Sequence, residues 1–537
     1  MMPFKLNVET RCSEVKGKIK EDLLNQTELK KIKLIVAKLK TRYNRSQYSC
    51  RTMDESTDSS ESGSTFTLSS SIISNEDEKK KFGVTTAALF IVGTMCGTGV
   101  LTIPQAIVNS GYIGPVLIIV CGTVASYTGT LLSECWTILR ARYPEYESER
   151  ITDPYPTIAH RAGGRFAEVG TRVCIDFTMF GTEVVLLLLI SGNIFNLITN
   201  LGHDSFPLCY IVMITTGCLI PLSWLGTPKD FWQAGIIAAC TSIGAAFFVF
   251  GSMIKATSNH PQPERAEPEW SIFLSSLGTI LFAFGGAGCF PTIQLDMKHP
   301  NKFSTSVVMG ISTVISVYLL VGVTGLVVLG ENMKPNVLDA LPAGWMSYTV
   351  NILVTSHFLM AYLIFNNPVS QDIEGILGIP NKFCFRRVLF RTTFAGAVLF
   401  VALSVPHFDI ILSLLGGTTI VLICFIFPPV FYLLLSRQRI PSDAHGPLPC
   451  HLIRGKESRR RSNSLVVGSE VSPKEDITKH TSWIQVDVEL HTKVILMEII
   501  IFSFVGGACS TYFSIASLVN GQSGFTAPCY INISVGL

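Results

Sequence analysis

Eleven apolar runs, each close to or above the ~20 residues that a helix needs to cross a bilayer, lie between residues 82 and 520. They cover roughly 82–109, 113–139, 172–199, 207–225, 231–253, 271–296, 304–329, 346–367, 387–404, 408–436 and 493–520. Backbone placed in hydrocarbon has to satisfy its own hydrogen bonds, so such a chain folds as an all-α integral membrane protein with eleven transmembrane helices. Composition agrees. Hydrophobic residues make up 48% of the 537 and charged residues 15%, with a mean hydropathy of +0.42; a water-soluble fold has no interior large enough for that much apolar surface.

The polar segments divide the chain. Residues 1–81 form a cytosolic, largely disordered tail. Within 15–45, Ile19, Leu23, Ile32, Ile35 and Leu39 recur at near-helical spacing among lysines. That pattern reads either as a basic amphipathic helix on an anionic leaflet or as a solvated, marginal helix. Residues 52–75 are Ser/Thr-rich and acidic, too poor in apolar side chains to fold alone. The transmembrane domain spans 82–520 and contains a polar cytosolic loop, 437–491. The basic cluster Arg459-Arg460-Arg461-Ser462 in that loop suits a basophilic kinase or simply an ordinary solvated loop. Residues 521–537 form an extracytosolic tail. The N-terminus has no apolar h-region, so no cleavable signal is expected and the first span serves for insertion. Between spans two and three, 155–170 reads as a short amphipathic segment on the membrane surface. None of the 15 cysteines is spaced as CxxC, and most fall within apolar runs as small hydrophobes. Neither a metal site nor a cofactor is expected, while Cys209 and Cys529 could pair on the outer side.

Basic residues set the orientation. With the N-terminus inside, the tail and cytosolic loops hold about 38 of the 42 lysines and arginines. The opposite side holds Lys255, Arg265 and Lys334, and Arg391 sits at the cytoplasmic end of the ninth span. The N-terminus is therefore expected in the cytosol and the C-terminus outside or in a lumen. Asn532-Ile533-Ser534 is then a sequon on the permitted side, though close to the chain end.

Two spans are interrupted by glycine. The first carries Val92-Gly93-Thr94-Met95-Cys96-Gly97-Thr98-Gly99, and the sixth carries Phe284-Gly285-Gly286-Ala287-Gly288. A helix opened at membrane depth exposes N–H and C=O groups that lipid cannot satisfy and a ligand or ion can. The orientation makes these two spans run in opposite senses. Spans one to five and six to ten then form a 5+5 inverted repeat with span eleven appended, the plan of a secondary transporter. Thr94, Met95, Cys96, Gly97, Thr98 and Gly99, with Phe284, Gly285, Gly286 and Ala287, are the candidate substrate contacts. The competing account is close helix packing through small residues.

Ionisable side chains inside the membrane are costly and are functional suspects by default. Glu183, just before Leu186-Leu187-Leu188-Leu189, is a candidate carrier of a coupled proton or partner of a substrate amine, or else a structural pair. His357, in the middle of span eight, is either a titrating group or a hydrogen-bonded core histidine. Glu134, Asp176, Asp296, Glu374, Asp409 and Glu498 lie nearer span ends and read as interfacial or structural.

Several ordered segments carry a family resemblance. They are Gly97-Thr98-Gly99-Val100-Leu101-Thr102-Ile103-Pro104 with Gly111-Tyr112-Ile113-Gly114-Pro115, then Tyr155-Pro156-Thr157-Ile158-Ala159, Ser191-Gly192-Asn193 and Pro221-Leu222-Ser223-Trp224-Leu225. Phe290-Pro291 with Met297-Lys298-His299-Pro300 follows, then Asn367-Pro368-Val369-Ser370-Gln371 with Glu374, and Pro406-His407-Phe408-Asp409 leading to Gly416-Gly417. In order and spacing the chain resembles the amino acid/auxin permeases, and its third-span segment is most similar to their vesicular and plant vacuolar branch. The resemblance implies a leucine-transporter-like fold and transport of a small amino acid, met by backbone at the two breaks; the leading expectation is secondary active transport of small neutral amino acids by alternating access.

It also bears on the coupling ion. In the sodium-coupled branch an Asn four residues before the first glycine of the break helps to hold sodium; here that position is Gly93. Thr355 and Ser356 could still supply oxygens, but the proton is favoured, although the histidine of the proton-coupled branch is missing from span one. The expected partners are an amino acid, a coupling ion, the lipid bilayer and cytosolic partners of the tail, with no nucleic acid. An amino acid sensor signalling through its tail or loop is the alternative. A channel lacks a filter-like repeat, and an enzyme is the least expected class, with no P-loop, GxSxG or HExxH. No sorting motif chooses between the plasma membrane and a vacuolar, lysosomal or vesicular one.

Overall fold

The computed structural model describes residues 82–143, 145–148, 151, 153–200, 207–224, 231–257, 269–380, 383–405, 407–438, 440–441, 483–484 and 488–519. The expectations for 15–45, 52–75, 459–462, Cys529, the sequon and the C-terminal tail lie outside these residues. Among the described residues, ten helices are long and apolar enough to cross a membrane, and one shorter apolar helix, Leu208–Ser223, has 16 residues. Every apolar run of the sequence is therefore helical, and the fourth is short.

The first half comprises α1 (Val84–Ser110), α2 (Ile113–Arg142), α3 (Pro154–Asn200), α4 (Leu208–Ser223) and α5 (Phe231–Thr257). The second opens with α6 (Trp270–Ala283) and α7 (Phe290–Leu295), two parts of one span. It continues through α8 (Phe303–Val328), α9 (Trp345–Ile376) and α10 (Phe385–Ser404). Next, α11 (Phe408–Leu415), a π-helix (Gly416–Ile426) and α12 (Phe427–Arg437) run on without interruption, and α13 (Leu490–Val519) closes the described chain. A two-residue antiparallel pair, Ile440–Pro441 with Trp483–Ile484, joins the two ends of the 437–491 loop.

One expectation is corrected. The glycines of α1 do not open it: the helix is continuous from Val84 to Ser110. Each glycine admits a neighbour instead. A Cβ on Gly93 would meet the carbonyl oxygen of Gly235 in α5, one on Gly97 the ring of His357 in α9, and one on Gly99 the hydroxyl of Tyr318 in α8. This is the close-packing role of small residues in membrane helices. The segment expected on the membrane surface, 155–170, is helical with one face packed on the bundle and the other exposed, Phe166 being 92% exposed. Tyr155 is 1% exposed, and its hydroxyl donates to the carbonyl of Ile423 in the π-helix at 2.5 Å. Pro154 to Gly163 continues into the third span through a kink at Gly164, whose φ of 75° suits glycine.

The sixth span does break. Helix α6 stops at Ala283, and the Gly285 and Gly286 N–H groups fall back on the Phe282 and Phe284 carbonyls at 2.8 and 3.0 Å. A 3-10 turn over Ala287–Cys289 follows, and α7 restarts with Pro291 in its first turn. Two adjacent glycines followed by a proline without an N–H cannot hold the i→i−4 ladder. Beyond α7, the Lys298 N–H donates to the Phe82 carbonyl at 2.9 Å and the Phe82 N–H to the Asp296 carbonyl at 3.2 Å. The start of α1 and the end of the sixth span therefore lie on one side of the bundle. Helix α13 docks on α6, α11 and the π-helix through small residues. Ser413 and Ser514 hydroxyls lie 2.7 Å apart, and a Cβ on Gly417 would meet the Gly507 carbonyl at 2.9 Å.

Candidate functional site

A cavity of about 90 Å³ lies at the break of the sixth span. Helix α1 lines it with Thr94, Met95, Gly97 and Thr98, and the unwound segment with Gly285, Gly286, Gly288 and Cys289. Helix α3 adds Thr178 and Thr182, α9 adds His357 and Ala361, and the π-helix adds Ile420 and Ile423. Among the described residues, no aspartate, glutamate, lysine or arginine lines it.

Its polar groups are mostly acceptors. The Thr94 hydroxyl donates to Ile91 O at 2.9 Å and that of Thr182 to Thr178 O at 2.7 Å. Their protons are thus committed to their own helices, leaving oxygen lone pairs for a ligand. His357 Nδ1 lies 3.2 Å from the Ala238 carbonyl and 3.3 Å from Ser242 Oγ. A carbonyl can only accept, so the proton is assigned to Nδ1 and the Nε2 lone pair faces Gly97. The C-terminal end of α6, where helix carbonyls concentrate negative partial charge, ends at the same cavity through Phe282 and Ala283. Such a site favours an ammonium group and an apolar body of small volume.

Of the candidates read from sequence, Thr94, Met95, Gly97, Thr98, Gly285, Gly286 and His357 are brought together here. Cys96, Gly99, Phe284 and Ala287 do not line the cavity: Gly99 faces Tyr318, and the Phe284 ring packs on Tyr318 at 5.6 Å. Thr355 and Ser356 also lie elsewhere. The Thr355 hydroxyl is engaged with Asn351 and Asn193 at 3.2 and 3.3 Å, and Ser356 is on the exposed face, bonded to Leu353 O. Thr178, Thr182, Cys289 and the two isoleucines were not singled out from sequence. Thr178 and Thr182, hydroxyls one turn apart in an apolar run, were the available signal.

Glu183 is fully buried beside the cavity, next to Thr182, but turned toward α9. Its Oε2 accepts from Asn366 Nδ2 at 2.9 Å, and its Oε1 has no hydrogen-bond partner among the described residues. The adjacent Asn367 accepts from Arg391 Nη2 at 3.2 Å. Arg391 also donates to Glu374 Oε1 at 2.7 Å and to the Ser223 carbonyl at 2.6 Å. Arg387 reaches the same Glu374 oxygen at 3.3 Å. Arg391, expected at a span end, is 1% exposed, and Glu374 is wholly buried. A polar network thus joins α3, α4, α9 and α10 beside the site.

A larger cavity of about 480 Å³ lies toward the C-terminal end of α1, lined by polar groups including Gln105, Asn109, Glu269 and Asp409. Among the described cysteines, Cys209 is disulfide-bonded and the others are free. No group of three or more metal-ligating side chains occurs among the described residues.

A multi-pass helical membrane protein, with a cavity built on the unwound middle of one span, is the class that this fold and site define. The chain belongs to the transmembrane amino acid transporter protein family, whose model matches residues 80–444. It is 24% identical over 367 residues to amino acid transporter AVT1B of Arabidopsis thaliana, covering 66% of this chain and 65% of that one. It is 25% identical over 399 residues to the vesicular inhibitory amino acid transporter of Xenopus laevis, covering 68% and 73%. The chain thus spans just under two thirds of the plant relative's length. These relatives are named as transporters, not enzymes. Among solved structures, a mutant manganese transporter of Eremococcus coleocola matches with a TM-score of 0.46 at 14% identity, covering 88% of this chain and 92% of that one.

Proposed function

We propose that the protein is a secondary active transporter that moves small neutral amino acids by alternating access, coupled to protons. The observation that carries this reading is the uncharged cavity at the break after Ala283, formed partly by backbone and by hydroxyls whose protons are already engaged. Its volume of about 90 Å³ is below the ~150 Å³ of an engineered apolar cavity that takes up benzene. It therefore favours a short side chain. With no fixed charge in the wall, an acidic or basic side chain would enter unpaired at high cost.

The architecture supports an eleven-helix, 5+5 reading. Helix α1 packs on α5 as α6 packs on α11 and the π-helix, and α2 packs on α12 as α8 packs on α5. Those are the pairings that an inverted repeat would generate. The basic-residue distribution supports a cytosolic N-terminus and an extracytosolic C-terminus. The 480 Å³ polar cavity is then a section of the route on the extracytosolic side.

Proton coupling rests on Glu183 and His357. Both are buried, His357 in the cavity wall and Glu183 beside it, and Glu183 Oε1 has no hydrogen-bond partner among the described residues. Sodium is disfavoured because Gly93 contributes no side-chain oxygen and Thr355 and Ser356 point elsewhere. Uptake of an amino acid panel into proteoliposomes under an imposed pH or sodium gradient tests the whole reading. Accumulation of small neutral amino acids driven by the pH gradient is expected. Accumulation driven by sodium alone would overturn the coupling, and binding without flux would replace the transporter with a sensor.

A further inference from the structure

We infer that Tyr318 is a positioning residue for this site, tying the backbone of α1 to that of α6 at the point where α6 unwinds. Tyr318 is wholly buried in α8. Its hydroxyl oxygen lies 2.8 Å from the Met95 carbonyl oxygen and 3.0 Å from that of Ala283. Met95 lies in the middle of an unbroken helix, and Ala283 is the last residue of α6; both line the cavity. The final carbonyls of a helix have no N–H partner of their own. The single tyrosine proton, shared between the two carbonyls, supplies one across the gap between two spans.

The surroundings are built for this placement. Gly99 leaves room for the hydroxyl, since a Cβ there would fall on it. The Phe284 ring meets the tyrosine ring edge-on at 5.6 Å and rests against Gly122, where a Cβ would lie 3.0 Å from it. Two glycines and an aromatic contact thus hold one O–H between two carbonyl oxygens. Gly99 and Phe284, which do not face the cavity, act on it through Tyr318.

The tie itself is a statement about backbone, and only its effect on transport rests on the function proposed above. Hydrogen exchange of the full-length protein in lipid nanodiscs tests it directly. In Tyr318→Phe, which keeps the ring, amides at 284–290 and 95–99 should exchange about tenfold faster, the scale of one hydrogen bond, with the rest of the bundle unchanged. Unchanged exchange at those segments, or acceleration spread through all helices, would overturn the inference. Gly99→Ala, which displaces the hydroxyl and keeps the tyrosine, should loosen the same two segments. If Tyr318→Phe yields no folded protein, Gly99→Ala decides alone, and unaltered exchange in it overturns the tie. In proteoliposomes Tyr318→Phe should raise KM about tenfold at an unchanged pH profile, because the hydroxyl orders the site and lies outside the Glu183 network. An unchanged KM removes the positioning role, whereas a wild-type protein without flux removes the transport reading and leaves the exchange test standing.

Discussion

At position 97 a methyl group already overlaps the imidazole of His357, so the site depends on a hydrogen atom there. Gly97→Leu should abolish uptake while the protein still inserts and reaches the membrane in normal amount. Robust uptake by that variant would remove the cavity as the substrate site. Glu183→Gln keeps the bond geometry to Asn366 but cannot exchange a proton; it should flatten the pH dependence of uptake, and an unaltered profile would clear Glu183 of that role. Residue by residue, the sequence marks the right neighbourhood better than the right side chains. Successive residues of a helix point about 100° apart, so a run such as 94–99 cannot face one cavity throughout. Once α1 proves unbroken, Cys96 and Gly99 necessarily look elsewhere, and the same geometry separates His357 from Thr355 and Ser356. Ile420 and Ile423 carried no sequence signal, being apolar residues in an apolar run.

Among the elements, the contrast between α1 and the sixth span shows which local features decide a break. Both carry glycines at mid-membrane. In α1 they are spaced along the helix, each under a neighbouring atom, and the ladder survives. In the sixth span Gly285 and Gly286 are adjacent and Pro291 follows, so the ladder fails. Sequence shows glycine; only packing shows whether it serves a neighbour or a turn. The buried cluster of Glu374, Arg387 and Arg391 was equally hidden, because each residue alone reads as a span-end charge. Glu374→Ala would remove the carboxylate that Arg387 and Arg391 share and should destabilise the protein by about 3–5 kcal/mol, read as a lowered unfolding midpoint in detergent. Gly416→Ala would press a methyl onto the Gly278 carbonyl. It should cost about 1–3 kcal/mol by pushing the π-helix off α6, visible in the same melt.

For the whole molecule, helical membrane architecture was legible because apolar run length is a direct consequence of bilayer thickness. The packing order was not, since lipid and protein interiors select the same side chains. Orientation rests on lysine and arginine alone, and it yields a plain test. Epitope tags on the two termini should fall on opposite sides of the membrane, the N-terminal one reached by antibody only after permeabilisation of the cytosolic side. Tags on the same side would overturn the odd number of crossings.

The two backbone hydrogen bonds between Phe82 and the stretch 296–298 have a mechanical meaning. They clip the entry to the first span onto the exit of the sixth, at the opposite end of α1 from the larger cavity. If the site opens on that side as the proposed alternating access requires, the two segments should swing together as a single lever, because separating them would break both bonds.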